Sequence, residues 1–278
     1  MKTLLKKSIA ILDSVLLPDA TGLEDSKKLY CFFHVQKCGG TAINHFLYQL
    51  VYSEQNLIGI DTNDISNIKY ESGKVAYRSF INQKIKNRYI TNGLNVFTRN
   101  PYLFLLKKAD YLHGHYLPND LFDFSCTKFT VIRDPVERLV SKYKMDYGLY
   151  KKNKLEHYGR QNISKYVNDP ADYFSFLKEN NAKEFFGILA TFSENLLLDE
   201  GIKNILKMDY VFKQTTLESD FKLFLKNEKI KFENPFHNLT IAKHHSQYAS
   251  SFPLINDKII DKLRTLLDCE YELVKKVS

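Results

Sequence analysis

Hydrophobic and polar positions fall twice into the same succession along this chain: a short uncharged run, a polar turn, then apolar residues at helical spacing. The first instance runs through Cys31, Phe32, Phe33, His34 and Val35, turns at a Lys-X-Gly-Gly-Thr segment, and continues with Ile43, Phe46, Leu47 and Leu50. That spacing predicts strand, turn, helix. In the second, Phe129, Thr130, Val131 and Ile132 read as a buried, β-branched strand. Asp134 then suits a helix cap, Pro135 its first turn, and Val136, Leu139, Val140 and Tyr143 its apolar stripe. Met208 to Phe212 is a further strand candidate, followed by a helix over 215–225 capped near Thr216. Helical patterns recur from Pro170, through Tyr173, Phe174, Phe176 and Leu177, then Phe185, Phe186, Ile188 and Leu189, then Leu196 to Leu206, and again from Ile255 to Val277 as one or two amphipathic helices. Residues 54–74 and 235–251 are polar and read as loops. With no repeat, low-complexity tract or Pro/Gly linker, residues 1–278 are expected to form one α/β domain, a mainly parallel sheet flanked by helices.

The first 20 residues predict an amphipathic helix with Leu5, Ile9, Leu12 and Leu16 along one face. Asp13 and Ser14 interrupt its apolar run and Pro18 ends it, well short of the ~20 residues a membrane span needs. This helix is expected to pack on the body or to touch a membrane surface peripherally. Without a span, the cytoplasm is the expected location.

At 44% hydrophobic and 26% charged, the composition is that of an ordinary globular protein. The net charge of +8 changes the picture more, because it suits a polyanionic small molecule, an acidic glycan, nucleic acid or a membrane surface. Cys31, Cys38, Cys126 and Cys269 form no C-x-x-C pair and no zinc spacing, which points to free thiols.

The chemistry-bearing residues lie at the turns. In the first turn, main-chain N–H groups and the positive end of the following helix would face an anion, as in a P-loop. Gly39 and Gly40 permit close approach, Thr41 adds a hydroxyl and Lys37 a charge. Cys38 is either a reactive thiol or a bystander packed against the loop. The lysine precedes the glycines, unlike the triphosphate loop G-x-x-x-x-G-K-[ST], so magnesium triphosphate chemistry is not indicated. In the second motif, Arg133 and Ser141 can converge on a phosphate, or Arg133 can simply pair with Asp134 or Glu137.

Between the two motifs lies YLHGHY, where extended backbone would turn His113 and His115 to one face, suited to taking a proton from a hydroxyl. They can equally be buried histidines bonded to backbone, or part of a metal site whose other ligands are not evident. Asn95 to Pro101 superficially repeats the second motif, but Lys107 stands eight residues after Arg99 where Ser141 follows Arg133. Arg99 is therefore expected on the surface or the acceptor side. The basic stretch from Lys142 to Lys165 is either a solvated face or a groove for an acidic or highly hydroxylated glycan.

Across Val35–Thr41 and Thr130–Tyr143 the chain resembles the carbohydrate sulfotransferases that use 3′-phosphoadenosine 5′-phosphosulfate (PAPS). The resemblance implies that Lys37, Cys38, Gly39, Gly40, Thr41 and Ala42 hold the 5′-phosphosulfate, with Arg133 and Ser141 on the 3′-phosphate. Lys243, in the loop over 235–251, is a further ligand by a looser match. The His-Gly-His segment is similar to the catalytic pair of the heparan and uronyl 2-O-sulfotransferases, which implies His115 as base and His113 as its helper. Sulfuryl transfer to a sugar hydroxyl, with adenosine 3′,5′-bisphosphate as product, no metal and no nucleic-acid partner, is the expected activity. A kinase-like phosphoryl transferase and a non-catalytic polyanion binder are the competing expectations.

Overall fold

The computed structural model describes residues 29–40, 42–43, 59–61, 111–115, 117, 119–156, 159–230 and 252–277. The expected N-terminal helix, the Arg99 segment, Thr41, Lys243 and most of the helix after the first turn lie outside these residues.

Among the described residues, five strands form one sheet: β1 (Tyr30–Phe33), β2 (Gly59–Asp61), β3 (Tyr111–Gly114), β4 (Thr127–Ile132) and β5 (Tyr210–Lys213). Their order is β2-β3-β1-β4-β5, and every neighbouring pair is parallel. β1, β3 and β4 are buried at every position, as expected of parallel strands covered on both faces. Phe32 stacks on Phe129 at 5.1 Å, and Phe129 in turn meets Phe212 and Phe224, so one aromatic layer crosses three strands.

The sheet departs from the sequence reading at β2, because residues 59–61 pair with β3 instead of forming part of a loop. Three residues of edge strand are too short to show a period-two signal, and their pairing is made by the main chain. β5 also begins two residues later than the apolar run suggests. Asp209 ends the approach to the strand: its carboxylate accepts from the Lys128 main chain at 2.7 Å, and its own N–H donates to the Lys128 carbonyl at 2.9 Å.

Among the described residues, these helices pack around the sheet: α1 (Pro135–Lys151), α2 (Pro170–Asn180), α3 (Ala182–Phe185), α4 (Gly187–Phe192), α5 (Leu198–Ile205), α6 (Leu217–Asn227), α7 (Asp257–Leu266) and α8 (Asp268–Lys275). Asp134 caps α1 by accepting from Glu137 N at 2.9 Å, with Pro135 following as the sequence predicts. Asp169 caps α2 in the same way, and Asn256 caps α7.

A second hydrophobic cluster joins α1, α2 and α7 through Leu139, Tyr143, Tyr173, Leu177, Leu263 and Leu267. It braces the helix that leaves β4. Another brace is buried and ionic: Arg138 faces Glu270 at 3.6 Å, while Glu270 accepts from Ile188 N and Leu189 N at 2.6 and 2.9 Å. No helix among the described residues is long and apolar enough to cross a membrane.

Candidate functional site

Because the strands are parallel, the segments leaving β3, β1 and β4 emerge at one edge of the sheet in that order. The register aligns Phe33 with Gly114 on one side and with Thr130 on the other. Thr130 Oγ1 donates to the Phe33 carbonyl at 2.7 Å, tying the two motif strands together where their turns begin. Carboxyl edges of open parallel sheets, where strand order reverses around a central strand, are the usual place for a ligand crevice.

The turn after β1 is tightly made. Gly39 has φ +93°, a value that favours glycine, and the chain enters helix at Gly40 with Ala42 N donating to Gly39 O at 3.0 Å. Lys37 also has positive φ, at +66°, uncommon for a side chain of its size. Cys38 points inward and is fully buried. Burial pushes its thiol up to about 12, although Arg138 and Arg133 pull the other way. Loss of solvent around the thiol outweighs the nearby arginines, which favours the bystander packed against the loop over the reactive thiol. Anything Cys38 offers a ligand comes from its main chain.

The Lys37 side chain reaches α1, with Nζ 3.5 Å from Met145 Sδ. Burial and the adjacent Lys142 bring its ammonium down to about 8, with Asp146 pulling the other way and Arg133 and Arg160 adding to the fall. Beside it lies a network of buried charges. Lys142 Nζ meets Glu184 at 2.7 Å and Asp146 at 3.2 Å, and Arg160 meets the same two carboxylates at 2.7 and 3.0 Å. Tyr173 donates to Asp146 at 2.7 Å. Burial alone would raise the Glu184 carboxyl, but Lys142 and Arg160 outweigh it and hold it below the usual range. The stretch from Lys142 onward is therefore more than a solvated face, for Lys142 is wholly buried and only its later lysines reach solvent.

Across the sheet edge, His115 follows β3. Its Nδ1–H donates to the His34 carbonyl at 2.6 Å. A carbonyl only accepts, so the neutral ring keeps its lone pair on Nε2. Burial lowers the His115 pKa, the His34 bond and Glu184 opposing and Lys142 assisting, which leaves the imidazole uncharged at neutral pH. His113 lies one position inside the strand, level with Phe32 of β1 and Asp61 of β2, and is 3% exposed.

A third imidazole, His34, completes the cluster. The sequence shows it only as one residue of an apolar run, and no spacing rule marks it. Its ring lies 4.1 Å from that of His115.

At the end of β4, Arg133 Nε pairs with Glu137 Oε2 at 3.0 Å on the protein surface. Arg133, Glu137 and Ser141 follow one another at four-residue steps, on one side of α1, and Ser141 is half-buried there. The structure thus brings Lys37, Gly39, Gly40, Ala42, His115, His113 and Arg133 to one edge, with Ser141 along the helix that leaves it. Thr41 and Lys243 fall outside the described residues. Among those residues, no group of His, Cys, Asp and Glu side chains is arranged to hold a metal ion.

Fold and site together define a parallel α/β protein with an anion-cradling turn, a half-buried lysine and an uncharged imidazole along one carboxyl edge. The sequence model of the sulfotransferase family matches residues 23–274, and the chain belongs to that family. Sulfuryl transfer is the activity that membership carries. No curated protein matches the sequence significantly.

Proposed function

We propose that the protein transfers the sulfuryl group of PAPS to a hydroxyl of a carbohydrate acceptor, with His115 as the base. One observation carries the reading: the turn bearing Lys37, the Arg133 segment and His115 leave three adjacent parallel strands at the same edge. A doubly phosphorylated nucleotide needs two anion sites in reach of each other, and the bond from Thr130 Oγ1 to the Phe33 carbonyl ties the two strands together where their turns begin. The residues also fit such a donor chemically. A left-handed glycine turn opens into a helix start, a lysine precedes the glycines, and an arginine fork waits at the neighbouring strand end.

The donor supplies the sulfuryl group and departs as adenosine 3′,5′-bisphosphate. His115 Nε2 takes the acceptor's hydroxyl proton, being uncharged and aligned by its Nδ1–H bond. The Lys37 ammonium, half-buried beside Met145, sets its charge against the negative charge that grows on the departing phosphate oxygen. Arg133 and Ser141 hold the remote phosphate, and His113 stands behind His115 as its helper.

A thermal-shift measurement with adenosine 3′,5′-bisphosphate and with ATP, in chelator and in magnesium, tests the donor class. Stabilisation by the bisphosphate in chelator supports the reading. Stabilisation by ATP only with magnesium would replace it with phosphoryl transfer, and response to neither would leave a polyanion binder. Labelled PAPS offered with a panel of sugars then tests the acceptor.

A further inference from the structure

His34 is held from two sides, by the strand segment that carries His115 and by the glycine turn. Its main-chain N–H donates to Gly114 O at 3.0 Å and its carbonyl takes the His115 Nδ1–H, so its backbone grips the segment that carries His115. Its ring is 7% exposed and stacks on Phe32 at 5.2 Å with 17° between the planes. The opposite constraint comes from the loop. A Cβ placed on Gly40 would lie 2.1 Å from His34 Cδ2 and 2.2 Å from Nε2, closer than atoms can approach. The ring therefore fills the space that the loop glycine leaves empty, and it also bears on the ring of His115 at 4.1 Å and 37°.

We propose that His34 is a positioning residue for the transfer reaction: its flat ring, wedged between Gly40 and the His115 imidazole, sets the orientation of the base and keeps water from the base's inner side. The inference rests on reading His115 as that base. His34 does not itself exchange a proton in this role. Burial, then His115, His113 and Lys37, push its pKa well below the ordinary histidine value, so it stays uncharged while the enzyme works. What it supplies is volume and planarity at a point where the loop and the base meet.

Removing the ring opens a space under His115 that water can enter. The groups facing His115 are His34 from the end of β1, Lys142 from α1 and Glu184 from α3, with His113 beside it on β3. Burial is the foremost cause of the lowered His115 pKa, so hydration of the inner side shifts it back up toward the ordinary value.

The test uses the full chain with His34→Ala, His34→Asn and His34→Phe, following the His115 ring signals by NMR across pH. The two ring-less variants are expected to raise the His115 pKa, and His34→Phe to keep it near wild type, because a phenyl ring restores the wedge. Either ring-less variant suffices if the other fails to fold. In the transfer assay the same variants should lower kcat on the order of 10²-fold, the usual consequence of a misplaced catalytic group, with little change in KM for the donor.

A second arm uses Gly40. Gly40→Ala should lose affinity for adenosine 3′,5′-bisphosphate by pushing His34 into the site, and adding His34→Ala should recover that affinity without recovering kcat. An unchanged His115 titration in the folded ring-less variants overturns the inference, as does a phenyl variant as impaired as alanine. A wild-type protein without sulfuryl transfer would instead remove the parent reading, and the titration would still report whether His34 governs His115.

Discussion

The two strand–turn–helix units at the carboxyl edge share a layout and differ in electrostatics. After β1, the cation is Lys37, half-buried with its Nζ against the Met145 thioether and brought down to about 8 by burial and Lys142. After β4, the cation is Arg133, whose side chain is 26% exposed and ion-paired with Glu137 in solvent. A cation partly kept from water acts more strongly on charge that appears during reaction, since less solvent screens it. A solvated guanidinium offers instead its fork geometry to charge already present, and surface pairs such as Arg133–Glu137 are weak enough for a phosphate to displace. The same local plan thus yields one turn suited to the transition state and one suited to binding.

Lys37→Ala is the sharpest way to break that contrast. Loss of a donor aimed at the developing charge is expected to reduce kcat by ~10²–10³. The melting temperature should hold, because the substitution also relieves a desolvated ammonium. Circular dichroism melts beside single-turnover assays would check both, and a variant that lost donor affinity without losing kcat would place Lys37 with the binding groups.

Arg133→Ala should do the reverse. Losing a charge-assisted bond of ~1.5–3 kcal/mol weakens adenosine 3′,5′-bisphosphate by about 10- to 100-fold, while kcat at saturating donor stays near wild type. Ser141→Ala, on the same side of α1, removes a single hydroxyl bond and should weaken the bisphosphate by about 2- to 10-fold. Calorimetric titration of both variants reads this ranking directly. An inverted order would move the phosphate toward the middle of the helix.

How much of this could be read beforehand follows from how local each feature is. The strands β1 and β4, the Asp134 cap and the glycine turn are each written in a few consecutive residues, and the chain folds them as that pattern predicts. The Lys142, Asp146, Arg160, Tyr173 and Glu184 network was not legible, because α1, α2, α3 and the segment before α2 must pack before those charges can meet. Taken alone, each looks like an ordinary polar residue of a helix or loop. Cys38 misleads for a related reason: its position suggests activation by the helix end, while its inward orientation, set by packing, decides the opposite. His34 is hidden most completely, since its neighbours Gly40 and His115 sit on two different turns.

The smallest expected effect tests the half-buried lysine without any substitution. With Lys37 near 8, about nine-tenths of the free protein carries the ammonium at pH 7 and about half at pH 8. The bisphosphate already bears on its 5′-phosphate the charge that the donor develops only on transfer, so raising pH across this window should weaken this product about twofold, and its binding at pH 8 should take up roughly half a proton. His34 and His115 are both lowered and already uncharged, and a phosphate whose second ionisation lies near ~6 gains charge with pH, which opposes the trend. Lys37→Arg should abolish the slope, because a guanidinium keeps its proton throughout, while Arg133→Ala should weaken binding and leave the slope intact. Titration calorimetry in two buffers of different ionisation enthalpy measures the proton uptake. A flat response in wild type would mean that Lys37 meets the phosphate as freely hydrated as Arg133 does, and the difference between the two turns would disappear.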